Sequence, residues 1–482
     1  MCRADTDCPN DDYAPPPPEQ RPLRVLTLGA GVYVLLWVAI FNGYPVLYAD
    51  TGGYLIRSFT LEPPVFRTIG YSLFIRLVGF GMTPWLVLLA QSIITIFILD
   101  CVFRYVLQKS MPSRLESTVF LGLVVFLAAG TSLPWYVGQL MPDVFTGLTF
   151  LSTFLLLYDS KLIIERAILV SFVLSISVAC HPTHLVDVTL LLLAVLVLRA
   201  FHGSRQFWPT RSAKGIIGLV LVPIMASTAV LALLNWREGM GLTLLPGRHV
   251  FVLGRLIESG LVRDYLKERC SIERLTPCKY LNELPRTAEE FMFGSHPLLK
   301  DMGGWLDSKK EANRISFETV KHSPIRFLAI CTKQMLLQFV SFKPGDGSIP
   351  RRSDNQDYVF QTFQQLFPGD MTRYQLTKQW SGSLQKLARR VTPLQIAVFW
   401  CSLSASLVLM VVRGLRARVA NQLFVLAVVF LFSNALVTGA MSGVHDRFQS
   451  RVSWLMGFCC AAYVVPVLLN RYKARSRCST NP

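Results

Sequence analysis

Charged residues are scarce in this sequence. They make up 16% of its 482 residues, whereas about 25% is typical of soluble proteins, and hydrophobic residues make up 52%. This balance excludes an ordinary soluble enzyme and predicts an integral membrane protein that contacts the lipid bilayer. The net charge of +18 does not indicate a nucleic-acid partner, because the basic residues cluster in short segments between apolar runs, as they do beside membrane helices.

Several familiar signatures are also missing. The eleven cysteines include no pair with the spacing of a zinc site, no glycine-rich nucleotide-binding motif is present, and the proline-rich amino terminus lacks the layout of a signal peptide. We therefore expect residues 1–24 to form a disordered cytoplasmic tail. Cys270 and Cys278 differ from the other cysteines because they flank a short polar loop. If that loop lies outside the cytoplasm, a disulfide is expected between them.

What the chain has instead is a series of apolar runs. A helix needs about 17–25 apolar residues to cross a bilayer core, and the candidate spans lie near 25–45, 84–106, 115–132, 143–158, 166–181, 184–200, 214–235, 392–413, 421–441 and 452–470. The predicted fold class is all-α, a polytopic transmembrane helical bundle of about ten spans. Spans one to seven occupy residues 25–234, including a first extracytoplasmic loop at 45–83, and spans eight to ten occupy residues 392–470.

The distribution of lysine and arginine predicts the orientation of the bundle. Basic residues occupy the amino-terminal tail, alternate loops and the basic tail at 471–482, while the short loops near 133–142 and 181–184 carry none. By the positive-inside rule, both termini lie in the cytoplasm, as an even number of spans requires. We expect a multi-pass protein of a bacterial inner membrane, although an endoplasmic reticulum membrane would give the same topology.

Residues 235–391 form a long segment between spans seven and eight, which this topology places outside the cytoplasm. Its apolar residues follow helical patterns, without a convincing run of alternating strands. The piece 325–341 is apolar enough to be weighed as an eleventh span, but Lys333 and Gln338 favour a re-entrant or surface helix. In the first loop, the amphipathic stretch FRTIGYSLFIRLVGFGM is expected to lie along the membrane interface.

Polar and charged groups recur at the predicted outer ends of the spans. Ionisable groups at membrane depth are costly and usually serve a site. Because separate stretches place them on one face, we expect a single outward-facing cavity. Its candidate residues are Asp50, Tyr54 and Arg67 after the first span, Asp143 before the fourth, His181 and His184 in the turn CHPTH, and Asp446, Arg447 and Arg451 at the tenth.

Each of these residues also has a purely structural interpretation. Asp50 is a preferred residue type for a helix N-cap, and Asp143 follows a proline where a negative charge suits a helix dipole. The histidines of CHPTH alone are a weak metal signal, because zinc needs at least a third ligand. Arg447 and Arg451 are four residues apart and share a helix face, which suits a phosphate or a lipid headgroup.

The same stretches resemble the GT-C class of membrane glycosyltransferases. YADTGGYL is similar to the acid motif in the first loop of that class. PPVFRTIGYSLFIRL is similar to the segment that often follows it, although Ile69 stands where proline is usual. QLMPDVFTGLTFLSTFLLLY resembles the acid-bearing start of the fourth span, and GVHDRFQSRVSWL resembles the start of the last helix, with Phe448 where tyrosine is common. Together these stretches cover about a fifth of the chain.

The resemblance implies transfer of a sugar from a polyprenyl-phosphate donor to an envelope glycan, lipid or protein acceptor at the extracytoplasmic face. Asp50 would be the catalytic base or would orient the acceptor, and arginines would stabilise the lipid phosphate as it leaves. The arginines suited to that role are Arg67, Arg447 and Arg451. Asp143 would hold a sugar hydroxyl or, with Asp50, a divalent metal such as Mg²⁺ or Mn²⁺. His181 and His184 would be secondary sugar or phosphate contacts, and Tyr54 and Asp446 are further candidates for binding the substrate.

Three other functions remain open. A lipid or glycolipid transporter or flippase would also need charged groups, but at the membrane midplane and usually on broken helices, and the sequence shows no internal repeat. A membrane acyltransferase or phosphotransferase would use a catalytic histidine from CHPTH. A scaffold of the cell envelope would need none of these groups.

Overall fold

The computed structural model describes residues 21–79, 81–107, 113–202, 208–352 and 357–479. Within these ranges the chain is helical, and the β-structure is one isolated bridge between Val46 and Gln139. The predicted all-α class is therefore confirmed for the described part of the chain. Most of the predicted amino-terminal tail, 1–24, lies outside it.

Twelve α-helices come before residue 238. They are α1 (Arg21–Leu35), α2 (Trp37–Asn42), α3 (Thr51–Thr60), α4 (Gly70–Gly79), α5 (Pro84–Leu107), α6 (Ser113–Gly130), α7 (Leu133–Val137), α8 (Val144–Tyr158), α9 (Ile164–Cys180), α10 (Pro182–His202), α11 (Ala213–Ile216) and, after a π-helical turn, α12 (Val222–Arg237).

Twelve more follow. They are α13 (Arg248–Glu258), α14 (Leu261–Arg269), α15 (Ala288–Phe293), α16 (Leu298–Asp301), α17 (Gly304–Asp307), α18 (Lys309–His322), α19 (Pro324–Val340), α20 (Tyr358–Leu366), α21 (Met371–Gln375), α22 (Ser383–Arg413), α23 (Arg418–Met441) and α24 (Asp446–Ser479). Helix α1 thus starts inside the predicted tail 1–24, and α24 continues through much of the predicted tail 471–482.

Six helical stretches of the described chain are long and apolar enough to cross a membrane. They are Pro84–Leu107, Pro182–Ala200, Ala213–Arg237, Ser383–Arg413, Arg418–Met441 and Asp446–Leu469. These lengths and compositions support a helical membrane protein. The other four predicted spans coincide with shorter helices, namely α1 with α2, α6, α8 and α9. The count of ten spans and the orientation of the bundle stay predictions.

Helix α8 explains how a short helix can belong to such a bundle. Its sequence VFTGLTFLSTFLLLY has no charged residue, and every one of its 15 residues is buried. A helix that is apolar on all sides belongs in a protein interior, and α8 packs against α5, α9, α10 and α24. Helix α8 therefore lies in the interior of the bundle.

The predicted interfacial stretch forms α4, which packs against α9. Tyr71, Phe74 and Ile75 are buried on one face of α4, while Leu77 is 71% exposed on the other. At Gly70 an added Cβ would lie 2.1 Å from the carbonyl oxygen of Ala179. Only a residue without a side chain permits so close an approach, and it brings the first loop against the end of α9.

The segment 235–391 is helical, as expected. Helices α13 to α18 surround a second hydrophobic core that includes Val250, Leu253 and Ile315. Cys270 and Cys278 are joined by a disulfide beside this core. Helix α19 follows this unit in sequence and packs against α23. The segment after α19 contacts the start of α24.

Candidate active site

Asp50 occupies the N-cap position of α3, but its side chain makes no capping hydrogen bond. Its Oδ1 instead accepts a hydrogen bond from Nη2 of Arg67 at 3.0 Å, and its Oδ2 accepts one from Nη1 of Arg447 at 3.1 Å. The carbonyl oxygen of Asp50 accepts a second bond from Arg67. The carboxylate therefore does not serve as a helix cap here, and two guanidinium groups hold it.

Asp143 lies deeper, at the N-cap position of α8, again without a capping bond from its side chain. Its Oδ1 accepts a hydrogen bond from Nη1 of Arg451 at 3.2 Å and lies 3.7 Å from Nε of Arg447. The side chain of Asp143 is 2% exposed and that of Arg451 is 1% exposed. Since Oδ2 of Asp143 accepts no hydrogen bond from the described residues, its acceptor capacity is not used up.

These contacts place five charges of alternating sign in a row. The row runs from Arg67 through Asp50, Arg447 and Asp143 to Arg451. It carries a formal charge of +1 and is most enclosed at its inner end, because the side chain of Asp50 is 32% exposed whereas those of Asp143 and Arg451 are nearly inaccessible. Asp50 can therefore meet a ligand. The enclosed pair of Asp143 and Arg451 holds the neighbouring Arg447 in position.

Aromatic rings line the row. The guanidinium carbon of Arg67 lies 4.8 Å from the ring centres of both Tyr54 and Phe66. That of Arg447 lies 4.3 Å from the ring centre of Tyr48. A cation over an aromatic face is attracted by the ring quadrupole, so the rings help to orient the guanidinium groups toward Asp50.

The two arginines also control the ionisation of Asp50. Burial by itself favours the neutral carboxyl, but the charges of Arg67 and Arg447 outweigh it and hold the pKa of Asp50 below its ordinary value. Burial raises the pKa of Tyr48 to about 12, although Arg447 opposes the shift. At neutral pH the carboxylate is ionised and Tyr48 is a neutral phenol.

The two histidines of CHPTH lie behind this row rather than in it. His184 is fully buried. Its Nδ1 donates to the carbonyl oxygen of Ser177 at 2.6 Å, and in the neutral ring its Nε2 accepts from the hydroxyl of Thr146 at 2.8 Å. The Nδ1 of His181 bonds to Thr183. Both ring nitrogens of His184 are therefore occupied within the bundle.

Asp446 lies at the mouth of the site, where it fastens the chain that follows α19. Its Oδ1 accepts a hydrogen bond from the backbone nitrogen of Lys343 at 3.1 Å. The structure thus brings the carboxylates and arginines of the first loop, α8 and α24 together at one end of the bundle. Of the predicted residues, Tyr54 supports Arg67, and the two histidines pack behind.

Sequence reasoning missed two residues of the site. Asp346 accepts a hydrogen bond from the backbone nitrogen of Arg447 at 3.1 Å. Asn434 accepts one from Nη2 of Arg451 at 3.0 Å and donates to the carbonyl oxygen of Phe448 at 2.7 Å. An amide inside an apolar span is a signal that could have identified Asn434. Asp346 lies in an irregular segment, where no periodicity marks it.

A second group of buried charges lies at the opposite end of the bundle. Arg24 and Arg104 both pair with Asp100 and Glu116, and Arg24 makes its closest contact with Asp100. These pairs link the start of α1 to the end of α5 and the start of α6. They join helix ends and are distinct from the row at Asp50.

The arrangement does not fit a divalent metal held by Asp50 and Asp143. The guanidinium group of Arg447 lies between the two carboxylates, and a cation there would be repelled by three arginines. Within the described residues, no group of three or more His, Cys, Asp and Glu side chains could hold a metal ion.

Comparison with known proteins does not assign the site. The chain matches no family model, no curated protein and no solved structure.

Proposed function

We propose that the chain is a GT-C-like glycosyltransferase, which transfers a sugar from a polyprenyl-phosphate donor to an envelope glycan, lipid or protein acceptor. The observation that carries the proposal is the accessible carboxylate of Asp50 between the guanidinium groups of Arg67 and Arg447. A base for the acceptor and cations for a phosphate are the two groups that such a transfer needs. The helical bundle supplies the setting for a donor whose prenyl chain stays in the lipid bilayer.

In the proposed reaction, Asp50 takes the proton of the acceptor hydroxyl. The acceptor oxygen then forms a bond to the anomeric carbon of the sugar. The bond between that carbon and the phosphate oxygen breaks, and its electron pair leaves with the polyprenyl phosphate. Arg67 and Arg447 stabilise the charge that develops on the phosphate, because charge-assisted hydrogen bonds to phosphate are strong.

The pairing of Asp50 with two arginines makes it a weak base before substrate arrives. A donor phosphate that drew one or both guanidinium groups away would remove the positive charge that depresses the pKa of the carboxyl. The base would then gain strength only when the donor is bound. Asp143 is paired with Arg451, and their side chains are 2% and 1% exposed, respectively. Such an enclosed carboxylate suits a structural role and not that of a base that must contact the acceptor.

The first experiment compares the glycans and glycolipids of cells lacking the protein by mass spectrometry. Complementation uses wild type, Asp50→Asn and the matched control Asp264→Asn, with membrane levels equalised by blot. Asp264 is a carboxylate paired with Arg326 at 2.8 Å on the unit α13 to α18, far along the chain from the site. One sugar should disappear in the deletion, return with wild type and Asp264→Asn, and stay absent with Asp50→Asn.

Other outcomes of this experiment distinguish a wrong enzyme class from a wrong role for Asp50. An unchanged glycan profile in the deletion would contradict the transferase under those growth conditions. Full restoration by Asp50→Asn would leave the class standing but remove Asp50 as the base.

A second candidate function, movement of a lipid or glycolipid across the bilayer, is favoured by a different residue. Asp187 is fully buried within the span formed by α10. Its Oδ1 accepts a hydrogen bond from the hydroxyl of Ser433 at 2.8 Å, and its Oδ2 has no hydrogen-bond partner among the described residues. Ionisable groups inside spans often mark a transport route.

The two functions can be separated in detergent, where no bilayer divides donor from acceptor. Purified protein is added to detergent extracts of the deletion strain together with a synthetic polyprenyl-phosphate sugar. Transfer of the sugar that depends on Asp50 supports the enzyme and excludes a transporter. Absence of transfer, together with loss of the sugar in cells carrying Asp187→Asn, supports transport.

A further inference from the structure

Helix α19 runs antiparallel to α23, which is long and apolar enough to span a membrane. Near the start of the contact, an added Cβ on Gly439 would lie 2.7 Å from the carbonyl oxygen of Gln334. Further along, the ring of Phe339 stacks on the ring of Phe432 with centres 4.3 Å apart and planes 8° apart. The carboxyl-terminal turns of α19 therefore run beside α23 from Gly439, near its end, to Phe432 in its interior.

The depth of this contact can be counted along α23. The helix has 24 residues, which gives a length of about 36 Å. Phe432 precedes the last residue, Met441, by nine positions, or about 14 Å along the axis. A hydrocarbon core of about 30 Å centred on α23 would begin about 3 Å from Met441 and leave Phe432 about 10 Å inside it. Phe339 lies at the same depth.

Apolar side chains at the end of α19 are exposed on the face that points away from α23, where no described residue covers them. Leu336 is 53% exposed, Leu337 is 44% exposed and Val340 is 55% exposed, and all three lie in the last two turns. Lys333 lies one turn closer to the end of α23, at the depth where a lysine can extend its ammonium group into the headgroup region.

After α19 the chain is held against the start of α24. The side chain of Gln338 bonds to the backbone of His445, and four residues after Phe339 the backbone nitrogen of Lys343 bonds to Asp446. The segment after the turn then reaches the candidate active site, where Asp346 accepts a bond from the backbone nitrogen of Arg447.

We propose that the last two turns of α19 enter one leaflet of the bilayer and return to the same side, and that acyl chains of the lipid cover Leu336, Leu337 and Val340. The occupant of this surface is lipid because the surface continues the apolar exterior of a spanning helix at the same depth. If water covered these side chains instead, it would have to lie at the same depth as the lipid that covers the neighbouring span α23. The inference is independent of the proposed reaction, since a transferase and a transporter would carry it equally.

Photolabelling of the wild-type protein in lipid nanodiscs tests the proposal. The probe is a phospholipid with a diazirine in the middle of one acyl chain. Trypsin does not cut before Pro344, so it releases residues 334–351, which contain all three exposed residues, and residues 374–378, which contain Leu376 at 81% exposure. Lipid adducts are expected on 334–351 and not on 374–378. Adducts on peptides of the spans together with none on 334–351 would overturn the proposal.

A depth measurement on single-cysteine variants gives a second readout. Nitroxide labels replace Val340 and, as the aqueous control, Leu376, in a background that retains only Cys270 and Cys278 and elutes like wild type. The measured quantity is the ratio of the label's collision rate with oxygen to its collision rate with a water-soluble nickel complex. This ratio should be at least several-fold higher at position 340 than at position 376. Equal ratios at the two positions would place α19 outside the hydrocarbon core.

Discussion

The guanidinium group of Arg451 donates to Oδ1 of Asp143 at 3.2 Å, although 308 positions separate the two residues in sequence. The pair joins α24 to the start of α8, and both side chains are almost fully enclosed. Burial makes such a pair sensitive to loss of one partner, because the remaining charge has no water to solvate it. The pair therefore fixes the position of α24, and with it that of Arg447 beside Asp50.

Removing one partner of this pair should destabilise the protein strongly. Asp143→Asn and Arg451→Met are each expected to lower the free energy of unfolding by about 3–5 kcal/mol. The double variant should lose less than the sum, because it leaves no buried charge unpaired. Thermal unfolding in detergent, followed by loss of the monodisperse peak in chromatography, measures the effect.

The control for this prediction is a pair of the same type near the surface. Arg326 and Asp264 lie 2.8 Å apart, but their side chains are 60% and 38% exposed. Asp264→Asn should change stability by less than about 1 kcal/mol. Equal losses at Asp143 and Asp264 would show that burial does not determine the strength of the inner pair.

The packing of α8 against α24 depends on Gly147. An added Cβ there would lie 2.5 Å from Cζ2 of Trp454, whose indole is 1% exposed. Since a buried indole has little room to move, Gly147→Ala should lower the free energy of unfolding by about 1–3 kcal/mol. Gly122→Ala on α6 is the matched control, because a Cβ at Gly122 meets nothing within 4 Å. An equal or larger loss at Gly122 would contradict this account of the helix contact.

The helices could be predicted from the sequence because apolar runs dictate them locally. Each of the ten runs coincides with a helix or a pair of helices. Their lengths were less predictable: α8 has 15 residues yet needs no lipid contact, because neighbouring helices enclose it. Whether a helix crosses the bilayer or stays inside the protein depends on tertiary packing, which a hydropathy pattern does not contain.

The pairing within the candidate site could not be predicted in the same way. The spacing of Arg447 and Arg451 placed them on one face of a helix, as the structure shows for α24. Which carboxylate each arginine meets depends on the rotation of α24 about its axis, and that rotation is set by contacts such as the one between Asn434 and Arg451. For the same reason, the sequence suggested His184 as a ligand contact, although both its nitrogens are bonded within the bundle.

The contribution of Asp50 to stability should depend on pH. Its pKa is lower in the folded protein than in the unfolded chain, where it is about 3.9. The stabilisation by its two ion pairs is therefore complete above about pH 4 and is lost as the pH falls through the folded pKa. Asp50→Asn should be less stable than wild type at pH 7, and the difference should shrink below pH 4.

Chemical unfolding of the two proteins at pH 7, 5 and 3.5 measures this dependence. Asp264→Asn serves as a comparison: the hydrogen bond from Arg326 also lowers the pKa of Asp264, so its effect should have the same sign, but it should be smaller because the pair is at the surface. A difference between wild type and Asp50→Asn that stays constant from pH 7 to pH 3.5 would show that the charge of Asp50 is not what the variant removes.

The disulfide between Cys270 and Cys278 should stabilise the unit α13 to α18. The bond closes a short loop, with a sequence separation of 8, and a loop of that size is worth about 2 kcal/mol in the chain-entropy description. The double variant Cys270→Ala, Cys278→Ala should lose about that amount, while Cys401→Ala, which removes an exposed free cysteine, should lose little. Thermal unfolding without reductant measures both.

The same bond tests the orientation of the membrane protein. Trypsin cuts after Arg269, Arg274 and Lys279, so an unreduced digest should contain CSIER linked to LTPCK. Disulfides persist in oxidising compartments and are rare in the cytoplasm. Finding the linked peptides in protein alkylated before extraction would support an extracytoplasmic position for residues 235–391, and with it the predicted side of Asp50. Finding both thiols free would contradict the disulfide and would remove this support for the orientation.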